Sequence, residues 1–246
     1  MLIRETWGAA HHYEQLRLVV AFIVGKPKSR KTLRAIERES DEHHDIVQAD
    51  FADTYGNISL KALAWLQWAS LYCPQPKYLL KIDDDMFTNA FALTSFLQRF
   101  STTSGPFDIL CHSKSDDPPA RDPRSKWFMP LEQYGNDTWP TFCFGGAYII
   151  SMGLIEPMNR ASFTTRFVWL EDVYITGLIP MHVNATLDPQ SQIGYVRHVN
   201  ITQQFDWYGI NRRKSPLLNG SAIFDHVTSL DARLDMWKKI LRLRFL

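Results

Sequence analysis

The sequence predicts an α/β fold with a largely parallel sheet, on three observations. Short apolar runs closed by Gly, Pro or charged residues alternate with longer helical segments. Hydrophobic residues make up 45 % and aromatic residues 13 % of the 246 positions, enough for a substantial core. One such apolar run, "KYLLKI", ends on three consecutive aspartates, and ligands in open α/β sheets bind beyond the carboxyl ends of strands.

The elements follow in order. "LRLVVAFIVG" (Leu16 to Gly25) is a buried strand stopped by Gly25 and Pro27. "SRKTLRAIERESDEH" is a charged helix with Leu33, Ile36 and Ser40 on one side, and "DIVQAD" is a short strand. "ISLKALAWLQWASLYC" is a helix apolar almost all round, ended by Pro74. The strand "KYLLKI" leads into Asp83, Asp84 and Asp85. "FALTSFLQRF" is a helix and "FDILCHS" a strand, followed by the polar, Pro-rich loop "KSDDPPARDP". "GGAYIIS" is a buried strand entered through Gly145 and Gly146, and "EDVYITGLI" is helical. From Ser229 on, Leu230, Leu234, Trp237 and Leu241 recur at helical spacing. No internal repeat and no linker divides the chain, so residues 1–246 read as one domain.

A net charge of +1 argues against a nucleic-acid partner. No apolar run reaches membrane-spanning length. Cys73, Cys111 and Cys143 allow at most one disulfide, with one thiol left over. Five of the eight asparagines open an N-x-S/T sequon, namely Asn57, Asn136, Asn184, Asn200 and Asn219, where chance gives about one. That excess points to passage through the secretory lumen.

Three adjacent carboxylates pinned between apolar flanks repel one another, and a divalent cation removes that penalty. A solvated turn or a raised-pKa acid are the other uses of such a cluster. A second acidic pair, Glu171 and Asp172, follows the apolar run Phe167 to Leu170. Its plain reading is a helix N-terminus, where acids favour the dipole. Among the histidines, His198 in "GYVRHVN" gains interest if the fold returns it to the aspartates, whereas His112 and His226 carry no obvious role.

Taken together, "IRETWG", "VAFIVGKP", the block from Asp45 to Pro74, "KIDDDMFTN", "KWFMP", "FCFGGAYIIS" and "EDVYITG" resemble, in order, the inverting beta-1,3-hexosyltransferases of the Golgi, glycosyltransferase family 31. The resemblance implies a GT-A-like, Rossmann-type α/β/α sandwich with a mostly parallel central sheet. It implies transfer of galactose, N-acetylglucosamine or N-acetylgalactosamine from a UDP-sugar to a sugar hydroxyl of a glycoprotein or glycolipid, in beta-1,3 linkage. By the same resemblance Asp85, with Asp83 and His198, is the Mn²⁺ site, and Asp84, Arg4, Trp7, Asp50 and Lys61 lie toward the donor. Asp172 matches the general base, and Gly145, Gly146 and Glu171 the substrate pocket. A lumenal catalytic domain on a single-pass Golgi anchor is the expected setting, and no stem or anchor is visible in this sequence. The family's opening strand and its cysteine beyond "EDV" have no counterpart here, the latter leaving Cys73 without its expected partner. An inactive lumenal relative serving as chaperone or binding module is the alternative, and a metal-dependent phosphohydrolase a third. The three intact aspartates favour the enzyme.

Overall fold

The structure, a computed structural model, describes residues 2–9, 18–103, 108–187, 217–218, 223–227 and 229–244. It is mixed α/β and divides into two compact units, each discontinuous in sequence. Unit 1 comprises Met1–Val19, Lys81–Pro106 and Gln190–Leu246; unit 2 comprises Val20–Leu80 and Phe107–Pro189. No helix among the described residues is long and apolar enough to cross a membrane.

Unit 2 opens with β1 (Phe22–Lys26), α2 (Arg30–His43) and β2 (Ile46–Ala52), α1 (Leu2–Glu5) belonging to unit 1. β1 and β2 pair in parallel, as a strand–helix–strand crossover dictates. Ser29 caps α2 by accepting the Thr32 N–H at 3.0 Å. Leu33, Ile36 and Ser40 form its half-buried stripe, as their spacing predicts. α3 (Ile58–Tyr72) buries Ser59, Ala62, Trp65, Leu66 and Ala69 on one face. It is not enclosed all round: Leu71 and Tyr72 in its last turn face solvent.

A three-stranded sheet in the order β3-β6-β5 follows, from β3 (Tyr78–Ile82), β5 (Ile109–Lys114) and β6 (Phe142–Ser151). β5 and β6 run antiparallel. The described strands form three small sheets and not one mostly parallel sheet: β1 and β2 pair in parallel, whereas β5–β6 and β4–β7 are antiparallel. The reason lies in the connection between β5 and β6, which contains no crossover helix, so the chain turns back along its neighbour. α5 (Met152–Ser162) packs Leu154, Ile155 and Met158 into the same core as α3 and β6.

The "EDVYITGLI" segment is helical as expected, with a π turn inserted. α6 (Glu171–Val173) passes through a π turn at Tyr174–Leu178 into α7 (Ile179–Met181).

Unit 1 holds β4 (Met86–Thr88), α4 (Ala90–Thr103), β7 (Phe224–His226) and α8 (Leu230–Arg244). Trp7, Phe87, Ala90, Leu217, Trp237 and Ile240 form its core. Of the expected stripe, Trp237 is buried and Leu241 packs against the core, whereas Leu230 is exposed; Arg233 and Ile240 complete the buried face of α8.

Cys111 and Cys143 form a disulfide with Cα atoms 5.6 Å apart, and Cys73 is the thiol left over. The bridge closes a loop of sequence separation 32. A loop of that length is stabilised by roughly 3–4 kcal/mol when closed. The Cys111→Ala/Cys143→Ala variant is expected to melt on the order of 10 °C lower. A thermal scan of the variant beside the parent chain checks this, and equal midpoints would show that the bridge contributes nothing.

Candidate active site

The acid cluster is the turn between β3 and β4. The Met86 N–H donates to the Asp83 carbonyl at 3.1 Å, so the three carboxylates leave the chain within one tight turn. Asp84 and Asp85 are exposed, and Asp83 is half-buried. Burial pushes the Asp83 carboxyl up, the Lys81 ammonium at 2.7 Å works against that, and the neighbouring Asp85 and Asp84 charges add to the rise.

β4 pairs antiparallel with β7, with Met86 opposite His226. This register brings His226 Nε2 to 3.0 Å from Asp85 Oδ2. The Val227 N–H donates to the Asp85 carbonyl at 3.2 Å, tying the two strand ends together. Arg233 then clamps both from α8. Its Nη1 donates to the Asp84 carbonyl at 2.7 Å and its Nε to the Val227 carbonyl. The guanidinium is buried, and its planar fork suits two acceptors at once.

The imidazole that the structure sets beside the acid cluster is thus His226. His198 lies outside the described residues. Nothing local in "IFDHV" marks His226; its only sequence signal is a short apolar run just before the last helix. Among the described residues no group of three or more His, Cys, Asp or Glu is gathered to hold a metal ion. Asp85 and His226 alone offer a carboxylate oxygen and an imidazole nitrogen side by side, a mixed donor pair that suits Mn²⁺.

In unit 2, Asp172 lies in the first turn of α6. It does not cap the helix, since Leu170 is the N-cap residue. Its Oδ1 accepts the next N–H, that of Val173, at 2.9 Å. The helix is held against β6 by small residues. A Cβ on Gly145 would come within 3.2 Å of Asp172 Cβ and 3.4 Å of its Oδ2. A Cβ on Gly177 would meet Phe142 and Pro140 at 3.1 Å. Buried Thr176 links the two elements: its hydroxyl donates to the Asp172 carbonyl at 2.5 Å and accepts the Cys143 N–H at 2.8 Å.

The paired glycines do not enter β6 but sit inside a bulge of it. Cys111 is opposite Tyr148 and Ser113 opposite Cys143, so two steps along β5 answer five along β6. The surplus lies at Phe144 to Ala147, next to Asp172. Bulges of this kind re-aim side chains beside functional sites. Gly145 therefore makes room for Asp172; Gly146 is buried in the same bulge. Glu171 is the neighbour of Asp172 in the first turn of α6. It is buried and accepts the hydroxyl of Tyr148, itself wholly buried, so it serves the core beneath Asp172.

The remaining expected positions fall in both units, Arg4 and Trp7 in unit 1 and Asp50 and Lys61 in unit 2. Trp7 is buried in the core of unit 1. Arg4 is half-buried on α1. Asp50 pairs with Lys26 at 2.5 Å on an exposed part of unit 2. Lys61 pairs with Asp53 at 2.9 Å, and Asp53 also accepts the Gly25 N–H at 2.9 Å. Burial raises the Asp53 carboxyl, but the Lys61 and Gly25 hydrogen bonds and the Lys61 charge prevail and hold it below the usual value. This pair fixes the β1 and β2 ends to α3.

Asn136 and Asn184 are exposed, the former in a bend and the latter with φ of 52°. Asn57 donates its amide to the Ala52 carbonyl, and its sequon serine, Ser59, is buried. Asn200 and Asn219 lie outside the described residues.

A family model, Galactosyltransferase, matches residues 1–189. The chain is 36 % identical over 173 residues to Beta-1,3-galactosyltransferase 1 of Mus musculus, covering 70 % of this chain and 53 % of that one. It is 34 % identical over 188 residues to Beta-1,3-galactosyltransferase 5 of Homo sapiens, covering 76 % of this chain and 60 % of that one. The chain thus spans between half and two thirds of the length of these curated relatives. With the family model covering more than half of its residues, the chain belongs to the galactosyltransferase family.

Proposed function

We propose that the chain is a metal-dependent, inverting beta-1,3-galactosyltransferase that moves galactose from UDP-galactose to a hydroxyl of an acceptor glycan on a glycoprotein or glycolipid. The observation that carries this reading is the Asp85–His226 pair, 3.0 Å apart at the end of the acid cluster, in a chain similar to named beta-1,3-galactosyltransferases. The fold proposed for it is GT-A-like, with the parallel β1–β2 pair as part of the nucleotide-binding half.

Asp85 and His226 would hold Mn²⁺, with Asp83 and Asp84 receiving water or ribose hydrogen bonds at the same turn. When bound, the ion supplies charge neutralisation for the departing diphosphate. Asp172 takes the proton of the acceptor hydroxyl as that oxygen bonds to the anomeric carbon. The bond from that carbon to UDP breaks on the opposite face, and UDP leaves with the electron pair. One displacement from the far side inverts the anomeric centre. Gly145 and Thr176 keep Asp172 in register for this step.

The test is incubation of the full chain with UDP-galactose, Mn²⁺ and a panel of methyl glycosides, with the product linkage read by NMR. A beta-1,3-galactoside is the expected product. Absence of product together with absence of any UDP-dependent, Mn²⁺-dependent rise in melting temperature would overturn the reading.

A Golgi lumenal setting belongs to the same proposal, supported by five sequons and a disulfide. Made in a secretory host, the chain is expected to carry glycan at Asn136, the exposed bend. Peptide mass spectrometry checks this, and an unmodified Asn136 in secreted material would count against it.

A further inference from the structure

Unit 2 displays a cluster of aromatic faces that the proposed chemistry does not use. Tyr55, in the short 3-10 turn before α3, is 50 % exposed, and Trp127, in the loop between β5 and β6, is 56 % exposed. Rings this large are normally withdrawn from water, so two of them held outward require a reason. They are not loose. Tyr55 meets Trp169 edge-on, with centroids 6.1 Å apart at 68°. Trp169 in turn donates its indole N–H to the Phe128 carbonyl at 3.3 Å. A turn holds the loop: the Phe128 N–H donates to the Ser125 carbonyl and the Trp127 N–H to the Ser125 hydroxyl, both at 3.1 Å.

Lys126 ties the rings into one surface. Its ammonium stands 4.1 Å from the Tyr55 centroid and 6.0 Å from that of Trp127. The two centroids are therefore within about 10 Å of each other, the sum of those distances. Three separate segments thus converge on one platform, around residues 55, 126–127 and 169. The last is three residues before Asp172, so its Cα lies no more than about 11 Å from that of Asp172 even on a fully extended chain.

We propose that Tyr55, Lys126, Trp127 and Trp169 form an acceptor subsite for a neutral oligosaccharide of at least two sugars. A pyranose ring has one face of C–H groups, and these carry the positive polarity that the negative face of an aromatic ring attracts. Tyr55 and Trp127 are two exposed rings on separate segments, so each can offer a face to one sugar. The Lys126 ammonium supplies donors to ring hydroxyls at the rim of the aromatic surface. This inference rests on the galactosyl-transfer reading and names the substrate class for it: an acceptor recognised beyond its reacting sugar.

The experiment uses the full chain with three probes, the methyl β-glycosides of lactose, N-acetyllactosamine and chitobiose. Binding is read by saturation-transfer NMR, independently of turnover, and acceptor and donor KM are measured in parallel. Trp127→Ala is expected to raise acceptor KM about tenfold and to abolish saturation transfer, with donor KM unchanged. Trp127→Phe, which keeps an aromatic face, is expected to restore both. Lys126→Gln serves as the second variant and is expected to weaken acceptor binding with the rings intact. Unaltered saturation transfer in Trp127→Ala and Lys126→Gln, or none to the parent chain, overturns the subsite even where galactose is transferred. Transfer signals that depend on Trp127 in a chain without galactosyl turnover keep the subsite and sink the catalytic reading.

Discussion

Turnover of the Asp172→Asn variant is expected to fall by roughly a hundredfold or more, the scale of lost general-base catalysis. Asparagine keeps the size of the side chain and its amide oxygen still accepts the Val173 N–H. It cannot take a proton at neutral pH. The Thr176 hydrogen bond goes to the backbone carbonyl of residue 172, so it survives the change. Melting temperature and UDP affinity are therefore expected to stay close to those of the parent chain. A purely structural role for Asp172 would give a different pattern, near-normal turnover. Steady-state kinetics with a melting curve on this one variant distinguish the two. Near-normal turnover would move the base elsewhere. Glu171 is a poor substitute, because it is buried and engaged by Tyr148.

The second large effect is on the donor. Asp85→Ala is expected to abolish the Mn²⁺-dependent stabilisation of the chain by UDP. His226→Ala is expected to weaken Mn²⁺ binding by more than the ten- to hundredfold, roughly, that disturbing an outer-shell partner costs. Asp83→Asn is expected to do less, because its amide oxygen still accepts hydrogen bonds. Calorimetric titration of Mn²⁺ and UDP into each variant reads these effects. An Asp85→Ala chain with undiminished UDP affinity in Mn²⁺ would remove Asp85 from the metal site.

What the sequence disclosed depended on how local the cause was. α2 and α3 were legible almost residue by residue, because Ser29, Pro74 and the apolar spacing act within a turn or two. Asp83 to Asp85 and the Glu171–Asp172 pair were legible because charge stands out against apolar flanks. His226 was not, because its meaning comes from the β4–β7 register, a pairing across 141 positions. Arg233 hid for a related reason. On a helix rich in basic residues it reads as a solvated charge, and only its buried hydrogen bonds to Asp84 and Val227 set it apart. The direction of β6 relative to β5 escaped because alternating strands and helices imply crossovers, and the β5–β6 connection, which has no helix, breaks the rule. Glu171 and Asp172 look alike in sequence; the helix turn points one to Tyr148 and sets the other beside Gly145.

The discontinuity of unit 1 has a consequence in time. Ribosomes extend a chain at roughly 5–20 residues per second. With 141 positions between Asp85 and His226, the acid cluster waits on the order of ten seconds for its imidazole. Every segment of unit 2 is synthesised before residue 190, whereas unit 1 needs residues 190–246 to complete it. Unit 2 can therefore acquire its core, with Asp172 in register, while Asp83 to Asp85 are still an open run of like charge. The unit that carries the proposed metal pair is the last to mature, and a nascent chain stalled before Arg233 carries all three aspartates without the guanidinium that clamps their turn.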